Sequence, residues 1–277
     1  MKNSSISKTV AATATSLLLL GAGQAYAGPL GTVIGGFDVA GSPVGIEHDG
    51  SGNLWITNLS EDTVTLYDTS GAEQSLPYSI GTDSGNPIGV TVVGSNILIT
   101  DTIGDDVDTY DIATGAYVSS FDVSAFSGFP EGITYNSSTG SLFVVDGEGS
   151  SQVGEYSLSG TLLNTYGILG SSQDGIAYDA LRDSYWLYDS GTDTVRHYDT
   201  AFQQIESFSG VVAAGFSAGE GLAVIGNSLY VVATGSDRVV EFDISMAGGA
   251  SAAPVPAPAS LVLISAGILL LRRRLTA

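Results

Sequence analysis

The chain contains no cysteine, which excludes disulfide staples, thiolate zinc sites and cysteine nucleophiles. Charge is scarce too. Asp, Glu, Lys and Arg together make up 13% of the residues, where about a quarter is usual. Cations are rarest: Lys2 and Lys8 stand near the start and Arg272, Arg273 and Arg274 near the end. Only Arg182, Arg196 and Arg238 are left to face 29 acids in the body. A field of that sign repels nucleic acid and anionic lipid headgroups and attracts cations and basic partners. The two histidines, His48 and His197, have no second histidine at ligand spacing. H-E-x-x-H and Walker motifs, EF-hand loops and calcium-binding nonapeptides are all missing, and so is any long helical periodicity through the body.

What is plentiful is glycine, 37 residues, beside a hydrophobic fraction of 43%. With many Val, Thr, Tyr and Ser, this composition predicts short strands joined by tight turns. The fold class is all-β.

Both ends read as addresses. Lys2 and Lys8, an apolar run over residues 17–20, and Ala25-Tyr26-Ala27 describe a secretory signal peptide over residues 1–27, cut by signal peptidase before Gly28. Residues 28–246 form the body. Residues 247–258 are a Pro/Ala/Gly-rich linker, and residues 259–277 hold a mostly apolar run at 261–271 followed by the arginines. That run is shorter than the roughly 20 residues that cross a bilayer upright, and the arginines favour the cytoplasmic side. Val255, Pro256 and Pro258 with Arg272, Arg273 and Arg274 resemble the PEP-CTERM sorting domain, with Ala257 where that family usually has Glu. The resemblance implies exosortase as a processing partner and transient attachment through a short transmembrane helix. It also implies a Gram-negative bacterium as host, with release to the cell surface or extracellular matrix.

The body repeats. Gly45, Gly89, Gly132, Gly175 and Gly221 each open an apolar segment, and they stand 44, 43, 43 and 46 residues apart. Each segment is followed by a turn and a second apolar run, such as Leu54-Trp55-Ile56-Thr57-Asn58, and then by a Gly/acid loop and a third strand. A weaker fourth strand precedes the next glycine. Four short strands per period of about 40–45 residues predict a β-propeller. The count is five blades, or six if a degenerate one is hidden. The last repeat lacks its fourth strand, and residues 32–38 supply one that would close the ring and hide an open edge.

Pro130-Glu131-Gly132-Ile133-Thr134-Tyr135 and Gly140-Ser141-Leu142-Phe143-Val144-Val145-Asp146 resemble the NHL, SMP-30/gluconolactonase and SdiA-regulated propellers, over roughly residues 31–245. Loops leading into the first strand and loops between the second and third strands open on one face of such a ring. On that face Glu131, Asp174 and Glu220 each stand directly before a blade glycine, where the other two blades have Val44 and Ile88. Three converging carboxylates repel one another unless a cation lies between them or some keep their protons. Oxygen donors without His or Cys suit Ca2+ or Mg2+. Glu131, Asp174 and Glu220 are thus the candidate metal ligands, with Glu47 or Asn86 alongside, unless each acid merely caps loop amides. Some members of the resembled families hold a divalent metal in this channel.

Asn58, Asp101, Asp146 and Asp189 recur at strand ends and read as loop caps. The second-to-third loops carry Glu61-Asp62, Asp105-Asp106, Glu148, Asp193 and Asp237. Trp55, Trp186 and His48 fall at packing positions. Two functional expectations follow. One is a surface or matrix module that binds a cation, an exopolysaccharide or a surface protein. The other, implied by the SMP-30 resemblance, is a metal-dependent lactonase or related hydrolase.

Overall fold

The computed structural model describes residues 29–75, 77–80, 85–147, 149 and 151–248. The signal peptide, all but the first two linker residues, and the sorting motif with its apolar run lie outside them. Among the described residues no helix is long and apolar enough to cross a membrane.

The chain begins with β1 (Thr32–Asp38). Blade 1 follows as β2 (Pro43–His48), β3 (Asn53–Asn58), β4 (Thr63–Asp68) and β5 (Tyr78–Ser79). Blade 2 comprises β6 (Pro87–Val93), β7 (Asn96–Asp101), β8 (Asp106–Asp111) and β9 (Tyr117–Asp122). Blade 3 comprises β10 (Pro130–Asn136), β11 (Ser141–Asp146), β12 (Gln152–Tyr156) and β13 (Leu162–Gly167). Blade 4 comprises β14 (Gln173–Asp179), β15 (Ser184–Asp189), β16 (Thr194–Tyr198) and β17 (Gln204–Ser209). Blade 5 takes β18 (Gly219–Ile225), β19 (Ser228–Ala233) and β20 (Arg238–Asp243), and β1 completes it in the order β1-β20-β19-β18. The blades number five, not six, and the N-terminal strand closes the ring. A single 3-10 turn at Thr234–Ser236 is the only helical element among the described residues.

The five innermost strands neighbour one another in the cycle β2, β6, β10, β14, β18 and back to β2. Each apolar core lies between two blades. Trp55, Val64 and Ile80 of blade 1 pack on Val90, Ile97, Ile99 and Tyr110 of blade 2, and four equivalent clusters fill the other junctions. This explains why second strands are apolar on both faces. β11 and β15 are buried along their whole length, while the fourth strands β9 and β13 are mostly exposed. Both tryptophans lie in these cores.

A repeated contact fixes each blade. The residue opening the third strand's approach is left-handed in every blade: Asp62, Asp105, Ser151, Asp193 and Asp237, with φ of 47–52°. Its carbonyl accepts the N–H of the residue that follows the fourth strand: Ile80, Val123, Ile168 and Gly210. In blade 5 the same bond runs from Val39 to Asp237 at 2.9 Å, so the ring is closed with ordinary blade geometry. Asp is one of the few side chains that tolerate this conformation. Much of the acid in these loops therefore serves the turn.

The blade glycines have a different task. A Cβ on Gly45 would lie 3.0 Å from the Cα of Gly89, and one on Gly132 would lie 2.8 Å from that of Gly175. Gly175 faces Gly221 at 3.0 Å, and Gly221 faces Gly45 at 2.9 Å. Five glycines packed backbone to backbone pinch the channel to a waist with about 10 Å³ of free space, room for one water at most.

Candidate functional site

On one side of this waist stand the residues directly before the glycines. Glu131, Asp174 and Glu220 bring carboxylate oxygens within 4.8 Å of one another, beside an apolar sector of Val44 and Ile88. The structure thus brings these three residues together. Glu131 and Asp174 retain only 8% and 6% of their surface. Gly147 makes this burial possible, since a Cβ there would overlap the Glu131 carboxyl.

Burial pushes all three acids upward. Desolvation dominates for Glu131, and the Asp174 charge beside it adds to the effect. Asp174 also rises through burial, against hydrogen bonds from Ser190 and Glu131 that favour its ionised form. The two acids titrate as one coupled pair, and burial raises both. Glu220 is raised to about 7, by burial first and the Asp174 charge second.

Capping accounts for only part of the cluster. Asp174 Oδ2 accepts the Ser190 N–H at 2.9 Å, as a loop cap would. Glu131 Oε2 is buried without a hydrogen-bond partner. A buried acceptor left open costs about 1–3 kcal/mol, and a cation among the three acids would remove that cost. The residues present suit a hard divalent ion: oxygen donors only, three carboxylates, and a backbone ring behind them.

Glu47 and Asn86 do not join this group. Glu47 lies two residues past Gly45 and therefore on the other side of the waist. Asn86 donates its N–H to Asp101 and its side-chain amide to Thr102. The strand-end residues behave as caps. Asp101 accepts amides from Gly85, Asn86 and Ile103, and Asn58 accepts those of Ser42 and Ser60. Asp189 accepts those of Ser171 and Ser172 and pairs with Arg196 at 2.7 Å. Asp106, from one of the second-to-third loops, meets Asp101 and Asp108 in a second acidic trio, and burial raises it.

His197 is a core residue, fully buried and stacked on Trp186 with centroids 4.0 Å apart. It holds Glu206 at 2.9 Å and Ser184 at 2.7 Å. His48 is only half-buried and lines a cavity at the far mouth of the channel, so its expected packing role is corrected. Gly215-Phe216-Ser217-Ala218-Gly219 spells G-x-S-x-G but does not form a nucleophile elbow. A nucleophile elbow needs a strand before it and a helix after it. This segment is a turn leading into β18, and Ser217 meets Ser236 and Gly235 there.

Fold and site together define a five-bladed β-propeller with buried acids on one side of its axial waist. Neither a family model nor a curated protein matches the sequence. Solved structures do match in fold. The glutaminyl cyclase of Myxococcus xanthus is 13% identical, with a TM-score of 0.61 over 76% of this chain and 94% of that one. A chain of the nidogen/laminin complex is 18% identical, with a TM-score of 0.56 over 76% and 78%. At such identities the likeness carries the fold alone, and these two propellers serve an enzyme and a protein complex.

Proposed function

We propose that the protein is an exported binding or scaffold propeller that holds a divalent cation, Ca2+ by its donor set, between Glu131, Asp174 and Glu220. The observation that carries this reading is the convergence of three carboxylates, two of them buried and the third half-buried, around an unpartnered Glu131 oxygen. Ca2+ takes six to eight oxygen ligands, so three carboxylates leave positions for water and for a partner's oxygens. Hydroxyls and carboxylates of an exopolysaccharide or a surface protein have the matching chemistry. The signal peptide and PEP-CTERM-like tail would deliver such a module through signal peptidase and exosortase to the cell surface or matrix.

The second reading is a metal-dependent lactonase or related hydrolase, and Glu220 favours it. Glu220 is the least buried of the three acids, and in a hydrolase it would act as base toward water on an ion held by Glu131 and Asp174.

Calorimetric titration with CaCl2 tests the shared premise. One ion per chain should bind, and Glu131→Gln with Glu220→Gln should abolish it. Binding unchanged by both substitutions would refute the assignment. A lactone panel run on the Ca2+-loaded protein then separates the readings, since turnover lost in Glu220→Gln supports hydrolysis and its absence supports the scaffold.

A further inference from the structure

The other side of the waist opens into a cup of about 430 Å³, within the range of small-molecule sites. Its innermost layer is formed by Glu47, Thr91 and Thr134, each two residues past a waist glycine. Glu47 Oε1 accepts the His48 N–H at 2.8 Å. Oε2 accepts the hydroxyls of Thr91 at 3.1 Å and Thr134 at 3.2 Å. Thr134 is oriented in turn by the Tyr178 N–H at 3.0 Å. All these donors are neutral, and no lysine or arginine is among the described residues lining the cup. Tyr135, Tyr178, Val92 and Val224 also line it, together with half-buried Asp49 and with Asp179, whose carboxylate is buried against Arg182.

We propose that this cup is a second, separate site, which takes a small primary ammonium ligand seated on Glu47 with its carbon body along the two tyrosines. The hydrogen bonds decide the headgroup. Oε2 already receives two hydroxyls, so Oε1 alone keeps a free lone pair. A single accepting point suits the compact charge of an ammonium, whereas a guanidinium fork needs two. The waist separates this ligand from the acids beyond it, and the assignment does not depend on a metal there.

A titration signature follows from the same contacts. Burial raises Glu47 to about 7, against the hydrogen bonds that lower it. The groups facing it are His48, Asp49, Tyr135, Tyr178 and Asp179. Burial holds His48 below 6.5, so above that pH Glu47 is the group that changes charge. An arriving cation ionises Glu47 and expels its proton. Affinity therefore rises with pH by about tenfold per unit up to 7 and levels off above.

The test is calorimetry on the full chain with n-butylamine, n-butanol and n-butylguanidine at pH 6 and pH 8. Butylamine should bind with the stated rise and exceed both analogues by at least about tenfold, one hydrogen-bonded charge contact. Glu47→Gln should lose that affinity and its pH dependence, while Glu131→Gln keeps both. Butanol or butylguanidine binding as tightly, or Glu47→Gln binding like the wild type, would overturn the proposal. Should Glu47→Gln not fold, proton release from the wild type at pH 6 decides, read in two buffers of different ionisation heat. Close to one proton per amine supports the site, and none removes it.

Discussion

Arg182 shows how much one buried cation organises where so few exist. Its guanidinium, 7% exposed, pairs with Asp179 at 2.8 Å. It also donates to Gly226, Asn227 and Ile244 of the neighbouring blade, at 3.2, 2.8 and 2.8 Å. Arg182→Ala would strand Asp179 and three acceptors, and we expect a loss of about 3–5 kcal/mol in urea unfolding. Arg238 and exposed Asp38 also form a pair, yet Asp38→Ala should cost under about 1 kcal/mol because water screens it. At this scale the sequence was readable in part. Glu131, Asp174 and Glu220 were found because each precedes a repeat glycine. Glu47 was grouped with them although it follows its glycine by two residues instead of preceding it, and that offset carries it past the waist to the other chamber.

At the level of strands and blades, the repeat glycines were legible as markers long before their purpose was. The period gave four strands per blade and five blades, because apolar second strands and glycines recur together. It could not say that the glycines touch across the axis, since that contact joins residues 43 or more apart. Gly132→Ala puts a Cβ against the backbone of Gly175 and Ile176, where nothing flexible can yield. The expected cost is about 1–3 kcal/mol, seen as a lower urea midpoint with an unchanged slope. Closure by β1 was legible from the missing fourth strand of the last repeat. Phe37 anchors it, 6% exposed, in the core between blades 5 and 1. Phe37→Ala should cost about 3–5 kcal/mol.

For the whole molecule, the waist divides the axial channel into two chambers, both acidic and both holding carboxyls raised by burial. Glu47, Glu131 and Glu220 keep protons that the unfolded chain gives up near pH 4.5. Their contribution to stability is full below that pH and is lost as pH rises through the native values, about 7 for Glu47 and Glu220. His48 and His197 are lowered by burial, so their neutral forms support the fold above 6.5 and that support fades on acidification. The metal-free protein should therefore unfold at its highest temperature near pH 5–6.5 and lose at least about 3 °C by pH 8. Ca2+ should restore the share owed to Glu131 and Glu220 but not that of Glu47.

Thermal unfolding at pH 8, in EDTA and then in millimolar CaCl2, addresses the acidic site most directly. An ion present at about 100 times its dissociation constant adds roughly 2.7 kcal/mol, a rise of several degrees in a chain of this length. We predict that rise in the wild type. In Glu131→Gln with Glu220→Gln we predict none, and a metal-free midpoint at or above that of the wild type, because the repulsion is gone. A midpoint indifferent to Ca2+, with a metal-free variant that melts lower, would contradict the account and leave the three acids as structural caps.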